Sequence, residues 1–194
     1  MLPHQVFNNT VSLSPEAIDD LQAIFTCYVA ESGIILPDIA QQNKVIWVET
    51  GLLRAYHEYK GQEITTWFVG TEQFLYSAPS PHVTEVSYTH VSFLSKTVYH
   101  VCHWEALQAL YLKYPPLSQA GKVLLEKLLR RYNHVLYLLR FFTPPERLTY
   151  FEQHYADVYT TAPLKHIASF LGIAPETLSR LRKRHQKAAK GNIS

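Results

Sequence analysis

Residues 164–184, LKHIASFLGIAPETLSRLRKR, contain two amphipathic helical patterns on either side of a glycine. In the first pattern the apolar residues recur at helical spacing: Leu164, Ile167, Ala168, Phe170 and Leu171. Gly172 stands where this helix must stop and the chain must turn, a place where a positive φ favours glycine. Leu178 and Leu181 then face inward on the second helix. A small residue, a glycine four residues later and two spaced leucines are typical of a helix-turn-helix.

The outward face of the second helix carries residue types that bind DNA. This helix is predicted to begin at Pro175, whose fixed φ suits a first turn. Arginine and glutamate can read base edges, and lysine and arginine further along can contact phosphates. We expect DNA contacts from Lys165 on the first helix and from six residues of the second: Glu176, Thr177, Ser179, Arg180, Lys183 and Arg184. The alternative is an ordinary helical hairpin with a basic solvent face.

Charge is distributed unevenly along the 194 residues. The chain carries a net charge of +2, but residues 163–194 contain seven basic residues and one acidic residue, a local charge of +6 against −4 for the rest. Such an asymmetry indicates a polyanionic partner for this end. A solvated basic tail is the alternative.

The region from about 27 to 101 has a sequence pattern typical of antiparallel β structure. Short runs rich in Val, Ile, Thr, Tyr and Phe alternate with Gly and Pro, and they predict strands at 44–49, 52–59, 63–69 and 83–88. Tyr59-Lys60-Gly61-Gln62 is typical of a hairpin turn. A helix capped by Ser14 is predicted before this region, over about 15–25.

Two helices follow the strands, a short one at 104–114 and a long one at 117–142. A stripe on the long helix alternates spacings of four and three, like the seam of a two-helix coiled coil: Gly121, Leu125, Leu128, Tyr132, Val135, Leu139 and Phe142. We therefore expect self-association through Leu125, Leu128, Tyr132, Val135 and Leu139. The alternative is a helix wholly buried in one domain. A second stripe could pack on the β structure: Leu124, Leu129, Leu136 and Leu138.

A boundary is predicted after the long helix, where Pro144 and Pro145 stop it. Thr143 and Glu146 have the spacing of a capping box for a new helix at about 145–155. We expect residues 157–162 to form an extended connector.

The chain resembles the Crp/Fnr superfamily of bacterial transcription regulators, and most closely its divergent Bacteroidetes-type members. The resemblance is specific at Ile167-Ala168-Ser169-Phe170-Leu171-Gly172-Ile173 and Glu176-Thr177-Leu178-Ser179-Arg180-Leu181-Arg182, and weaker at Glu49-Thr50-Gly51-Leu52-Leu53-Arg54 and Gly61-Gln62-Glu63-Ile64-Thr65. It implies an α+β fold in three parts. These are an antiparallel β-roll or jelly roll of the cyclic-nucleotide-binding type (1–115), a dimerisation helix (116–142) and a winged-helix-like helix-turn-helix domain (143–194).

The resemblance also implies a function. It implies a homodimer that binds double-stranded DNA through its recognition helix and contacts RNA polymerase, with Glu176, Ser179 and Arg180 at the base-reading positions. Pro175 departs from the pattern, because many members have a contacting arginine there, so the target site need not be the family consensus. We expect a short or missing C-terminal β-wing, with 186–194 as a basic tail.

The sensor region lacks the groups that a cyclic nucleotide would need. In the family, an arginine pairs with the cyclic phosphate, yet residues 67–93 contain neither Arg nor Lys. We therefore expect no cAMP binding in the family manner, and the effector ligand, if any, is unknown. We predict no metal or cofactor. An N-terminal cysteine cluster that could hold an iron–sulfur centre is absent. His100 and His103 form the closest histidine pair, and this pair by itself does not indicate a metal site. A set of aromatic residues could line a pocket or simply form core: Trp47, Tyr56, Tyr59, Trp67, Phe68, Phe74 and Tyr76.

Other function classes find little support in the residues. No apolar run is long enough to cross a bilayer, no secretory signal is present, and Cys27 and Cys102 are read as reduced thiols, so we expect a cytoplasmic protein without a membrane partner. No catalytic set is present, so we expect no enzyme. Two alternatives stay open: a small-molecule-binding, cupin-like β-barrel and a dimeric interaction module without DNA binding.

Overall fold

The computed structural model describes residues 1–36, 43–76 and 89–191. Within these residues, two helices precede a pair of antiparallel sheets. They are α1 (Pro3–Thr10) and α2 (Pro15–Ile24), followed by strands β1 (Thr26–Ala30), β2 (Ile35–Leu36), β3 (Lys44–Thr50), β4 (Leu52–Tyr59), β5 (Gln62–Gly70), β6 (Gln73–Tyr76), β7 (His90–Phe93) and β8 (Thr97–His103). The later helices are α3 (Trp104–Lys113), α4 (Pro115–Phe141), α5 (Pro144–His154), α6 (Ala156–Thr161), α7 (Leu164–Leu171) and α8 (Pro175–Gly191).

The strands form two four-stranded sheets, in the orders β1-β8-β3-β6 and β2-β7-β4-β5. All described pairings are antiparallel, which confirms the predicted α+β fold with an N-terminal β-roll. The hairpin between β4 and β5 turns at Lys60 (φ +50°) and Gly61 (φ +74°), as the turn motif predicted. The predicted strand at 83–88 lies outside the described residues.

Two apolar clusters lie on opposite faces of the first sheet. Successive residues of a strand point to opposite faces, so Val45 packs against the N-terminal helices and α3 whereas Ile46 faces the interior of the β-roll. Leu21, Leu107 and Leu117 complete the cluster on the helical side. The N-terminal helices therefore cover a sheet face that would otherwise be exposed.

Two predicted helix starts are present. The Ser14 hydroxyl accepts a hydrogen bond from the Ala17 N–H at 3.2 Å and caps α2. At the start of α5, the Glu146 carboxylate accepts hydrogen bonds from the Thr143 N–H and hydroxyl, both at 2.7 Å. The capping box lowers the pKa of Glu146, because these hydrogen bonds favour the charged carboxylate.

One prediction about the C-terminal region is wrong. Residues 157–162 were expected to be extended, but most of them form α6, which buries Val158. The predicted basic tail at 186–194 continues α8 as far as Gly191, so it is helical up to that residue. Extra turns of α8 need no new core, since a helix satisfies its own backbone hydrogen bonds.

The C-terminal helices pack directly on the second sheet. Phe68 of β5 lies with its ring centroid 5.3 Å from that of Phe170 in α7 and 6.2 Å from that of Phe151 in α5. The apolar core is thus continuous across residue 143, and the three predicted domain ranges stay a prediction. None of the helices in the described residues is both long and apolar enough to cross a membrane.

Candidate nucleic-acid interface

The turn between α7 and α8 has the predicted geometry. Gly172 adopts a left-handed conformation, with φ +63° and ψ +38°. The N–H of Ile173 donates to the carbonyl of Ala168 at 3.0 Å, and the N–H of Gly172 donates to that of Ser169 at 3.2 Å. These bonds satisfy the last carbonyls of α7, so the chain reverses tightly and starts α8 three residues later.

The inward residues of the two helices are buried as predicted. Ala168 and Leu178 are fully buried, and Leu181 is nearly so. Ala168 is small at the point where α8 packs on α7, which allows the close approach. The packing fixes which side of α8 faces outward.

The other side of α8 is free to meet a ligand. Four charged side chains there are exposed: Glu176, Arg180, Lys183 and Arg184. Thr177 and Ser179 are half-buried beside them, and the one side-chain hydrogen bond described for this group joins Arg180 Nη2 to the Thr177 hydroxyl at 3.5 Å. Lys165, at the start of α7, is also exposed. The charged residues predicted for DNA contact are therefore not used by the chain's own packing.

Arg182 behaves differently from its basic neighbours. Its Nε donates to the Tyr159 hydroxyl at 2.9 Å, and its guanidinium lies 4.0 Å from the centre of the Tyr159 ring. His185 pairs with Glu152 of α5 at 3.1 Å. Both contacts hold the inner side of α8 to the preceding helices. The sequence analysis missed them, because helical periodicity alone cannot distinguish an arginine that packs from one that is exposed.

Arg147 joins three segments of the chain. Its guanidinium donates to the carbonyls of Leu139, Phe142 and Leu171 at 2.8–2.9 Å. Carbonyls at the ends of α4 and α7 have no partner within their own helices, and a guanidinium has enough donors for all three. Arg147 therefore fixes the helix-turn-helix relative to the end of the long helix.

Helix α7 is also hydrogen-bonded to the edge strand of the second sheet. The Ser169 hydroxyl accepts a hydrogen bond from the Thr65 N–H at 2.9 Å and donates to the Glu63 carbonyl at 3.2 Å. Arg54 is buried beneath this contact, where it donates to the Thr65 hydroxyl at 2.8 Å and to the Glu63 carboxylate at 2.7 Å. The β-roll thus positions the helix that supports α8.

His166 lies at the same contact and is electrostatically perturbed. Burial lowers its pKa, and the charges of Arg54 and Lys165 lower it further, to about 4. The Glu63 carboxylate opposes this shift only partly. The imidazole is therefore neutral at neutral pH, which avoids a third cation beside Arg54 and Lys165.

The long helix α4 exposes an apolar stripe. Its members alternate spacings of four and three: Leu125, Leu129, Tyr132, Leu136 and Leu139. Leu128 and Val135 of the predicted seam are half-buried against the chain's own side chains, so the exposed stripe differs from the predicted one at these two positions, and the dimer seam stays a prediction. A Cβ on Gly121 would lie 2.5 Å from the Tyr111 hydroxyl, so Gly121 faces α3 and not a partner.

The aromatic and histidine residues of the β-roll mainly build structure. Trp47, Tyr56, Trp67 and Phe68 are buried, as the core interpretation expected. His100 pairs with Glu49 at 2.8 Å, whereas His103 is exposed at the end of β8. In the described residues, no group of three or more His, Cys, Asp or Glu side chains is arranged to hold a metal ion.

Comparison with known proteins finds the same architecture. No protein-family model and no curated protein matches the sequence. Among solved structures, a protein assigned to the crp/fnr family of transcriptional regulators from Eubacterium rectale matches with a TM-score of 0.71, 14% identity and coverage of 96% of this chain and 88% of the other. FixK2 from Bradyrhizobium japonicum matches with a TM-score of 0.69, 16% identity and coverage of 86% of each chain.

A CooA mutant from Carboxydothermus hydrogenoformans matches with a TM-score of 0.66, 18% identity and coverage of 93% of this chain and 83% of the other. These matches extend over both the β-roll and the C-terminal helices. The chain therefore has the Crp/Fnr-type fold: a cyclic-nucleotide-binding-like β-roll, a long helix and a helix-turn-helix.

Proposed function

We propose that this chain is a sequence-specific DNA-binding transcription regulator that acts as a homodimer. The observation that carries the proposal is the outer face of α8, where Glu176, Arg180, Lys183 and Arg184 are exposed while Leu178 and Leu181 are buried on the opposite side. A helix exposed in this way fits the major groove. Glu176, Ser179 and Arg180 would read bases, and Lys165, Lys183 and Arg184 would contact phosphates.

Dimerisation supplies the second half of the proposed site. The stripe defined by Leu125, Leu129, Tyr132, Leu136 and Leu139 is long enough for two α4 helices to pack along one another. Two recognition helices related by a two-fold axis would then read a palindromic operator with half-sites about one helical turn apart. A regulator of this kind acts on RNA polymerase, which we propose as a further partner.

The proposed regulator does not respond to cAMP. The stretch from 67 to 93 has no lysine or arginine to pair with a cyclic phosphate. Titration with cAMP should therefore give no specific binding in the micromolar range. We propose no catalytic activity for the chain.

The experiment is selection of bound fragments from genomic DNA of the source organism, with and without cell extract, followed by fluorescence anisotropy on the selected site. Affinity should fall with salt by about one log unit per log unit of salt for each phosphate contacted. A control duplex of scrambled sequence should bind more weakly at every salt concentration. A dimer that enriches no fragment, or that binds both duplexes equally, would contradict the proposal.

A further inference from the structure

A cleft of about 650 Å³ lies where the β-roll, the long helix and the C-terminal helices meet. Three loops of the β-roll line one side of it, through Gly51, Thr71 and Ser95. Helix α4 contributes Arg131 and His134, and α5 and α6 close the other side. We call this feature the Arg131 cleft. Its volume lies within the range of pockets that bind small molecules.

Arg131 is a half-buried cation without an acid to neutralise it. Its Nη2 donates to the Phe68 carbonyl at 3.0 Å, and its guanidinium lies 4.8 Å from the centre of the Trp67 ring. Across the described parts of the chain, none of the ion pairs includes Arg131. Arginine keeps its charge in proteins, and the groups that stabilise Arg131, namely the Phe68 carbonyl, the Trp67 ring and the Tyr155 hydroxyl, leave that positive charge without a negative partner.

The surrounding polar groups also favour a negatively charged ligand. The His134 side chain forms no hydrogen bond with other described residues, and His154 uses Nδ1 on the Tyr150 carbonyl at 2.9 Å, which leaves Nε2 available. The Gln153 amide, next to His154 in α5, also lines the cleft. Asp157 is the one acid of the described lining, and it is exposed and therefore solvated, unlike Arg131.

Apolar surface in the cleft indicates an organic ligand. Tyr150 and Tyr155, which are half-buried, supply most of it, because the other apolar lining residues, Leu52, Phe68 and Val158, are buried in the core. The Tyr150 ring stacks on His154 with centroids 4.0 Å apart, which gives one wall a flat aromatic face. An inorganic ion would leave this surface against water, whereas a ring or a short carbon chain would cover it.

We propose that the Arg131 cleft binds a small organic anion of metabolite size, with Arg131 as the main contact of its carboxylate or phosphate group. A guanidinium can bind either group through two parallel hydrogen bonds. The ligand would touch the β-roll loops and α5–α6 at once, so it would stabilise one placement of the C-terminal helices. A regulatory role of this ligand rests on the proposed DNA-binding function, whereas binding of the ligand to the cleft does not depend on that function.

The test is calorimetric titration of the DNA-free, full-length chain with benzoate, phenyl phosphate and the neutral analogue benzamide. We expect at least one anion to bind with a Kd on the order of 1 mM, as befits so small a probe. Benzamide should bind about tenfold more weakly, because it lacks the charge. The two anions distinguish carboxylate from phosphate recognition, and this arm needs no variant.

Variants then locate the site. Arg131→Gln should weaken anion binding about tenfold, whereas Arg130→Gln, a matched change at the exposed neighbouring arginine, should not. Unfolding curves check that Arg131→Gln still folds, and Arg131→Lys should retain part of the affinity. No heat from either anion at about 10 mM, equal binding of benzamide, or unchanged binding in Arg131→Gln would overturn the proposal.

A second readout separates this proposal from the proposed function. The bound anion should change the affinity for the selected DNA site in anisotropy, in either direction. Anion binding without any DNA binding would support the ligand site in the Arg131 cleft and contradict the proposed DNA-binding function. DNA binding without anion binding would support the proposed DNA-binding function and contradict the ligand site in the Arg131 cleft.

Discussion

The Ser169 hydroxyl in α7 accepts a hydrogen bond from the Thr65 N–H in β5, 104 residues earlier in the chain. β5 is an edge strand, and edge strands leave backbone donors and acceptors without partners. Because the Ser169 hydroxyl also donates to the Glu63 carbonyl, one side chain satisfies both a backbone donor and a backbone acceptor of β5. The β-roll and the first helix of the helix-turn-helix are thereby joined by a specific polar contact.

Ser169→Ala should lower the free energy of unfolding by about 0.5–1.5 kcal/mol, since two partly exposed hydrogen bonds are lost. Urea unfolding followed by circular dichroism measures the change. Ser179→Ala is the matched control, because the Ser179 hydroxyl forms no hydrogen bond with other described residues. Equal stability of Ser169→Ala and the wild type would mean that the contact contributes nothing.

Acidification should weaken the fold through His166. Its pKa falls from an ordinary value of 6.5 to about 4 in the folded chain, so the unfolded chain binds more protons between these values. Stability therefore decreases as the pH falls from 6.5 towards 4. His166→Gln should reduce this dependence, as measured by urea midpoints across the pH range. Parallel pH curves for the variant and the wild type would contradict the assignment.

Gly172→Ala should destabilise the chain by about 1 kcal/mol or more, because alanine at a φ of +63° is strained. Thermal unfolding gives the measurement. Gly70→Ala is the control, since a Cβ there meets nothing within 4 Å and its φ is not positive. A Gly172→Ala variant no less stable than Gly70→Ala would refute the account of the turn.

The double variant Leu129→Glu, Leu136→Glu should be monomeric. Both leucines are exposed on α4, at 59% and 49% of their surface, and two charges on the proposed seam should raise the dimer Kd by a factor on the order of 100 or more. Sedimentation velocity measures the change. Leu112→Glu, at an 88% exposed position of α3, should leave the dimer intact. A dimeric double variant would exclude this seam.

The helix-turn-helix could be predicted from sequence because its determinants are local. Gly172, Ala168 and Leu178 lie within eleven residues of each other, and their spacing follows from helix geometry. The hairpin at Lys60 and Gly61 was predictable for the same reason.

The errors arise where tertiary packing decides. Helix α6 is rich in β-branched residues, which favour extended structure locally, yet burial of Val158 stabilises the helix. On α4 two neighbouring stripes of apolar residues both have heptad spacing. The sequence alone therefore does not show which stripe packs within the chain and which stays exposed. The contacts of Ser169 with β5 and of Arg182 with Tyr159 join distant positions and leave no periodic signal.

The role of Arg180 tests the central claim most directly. Fluorescence anisotropy on the selected operator and on its single-base variants should show that Arg180→Ala loses about 1–3 kcal/mol and loses discrimination at one base pair per half-site. Arg182→Ala, which removes an arginine that packs on Tyr159, should leave the base preference unchanged. If Arg180→Ala binds every sequence as the wild type does, or weakens all of them equally, α8 does not read DNA in the way described.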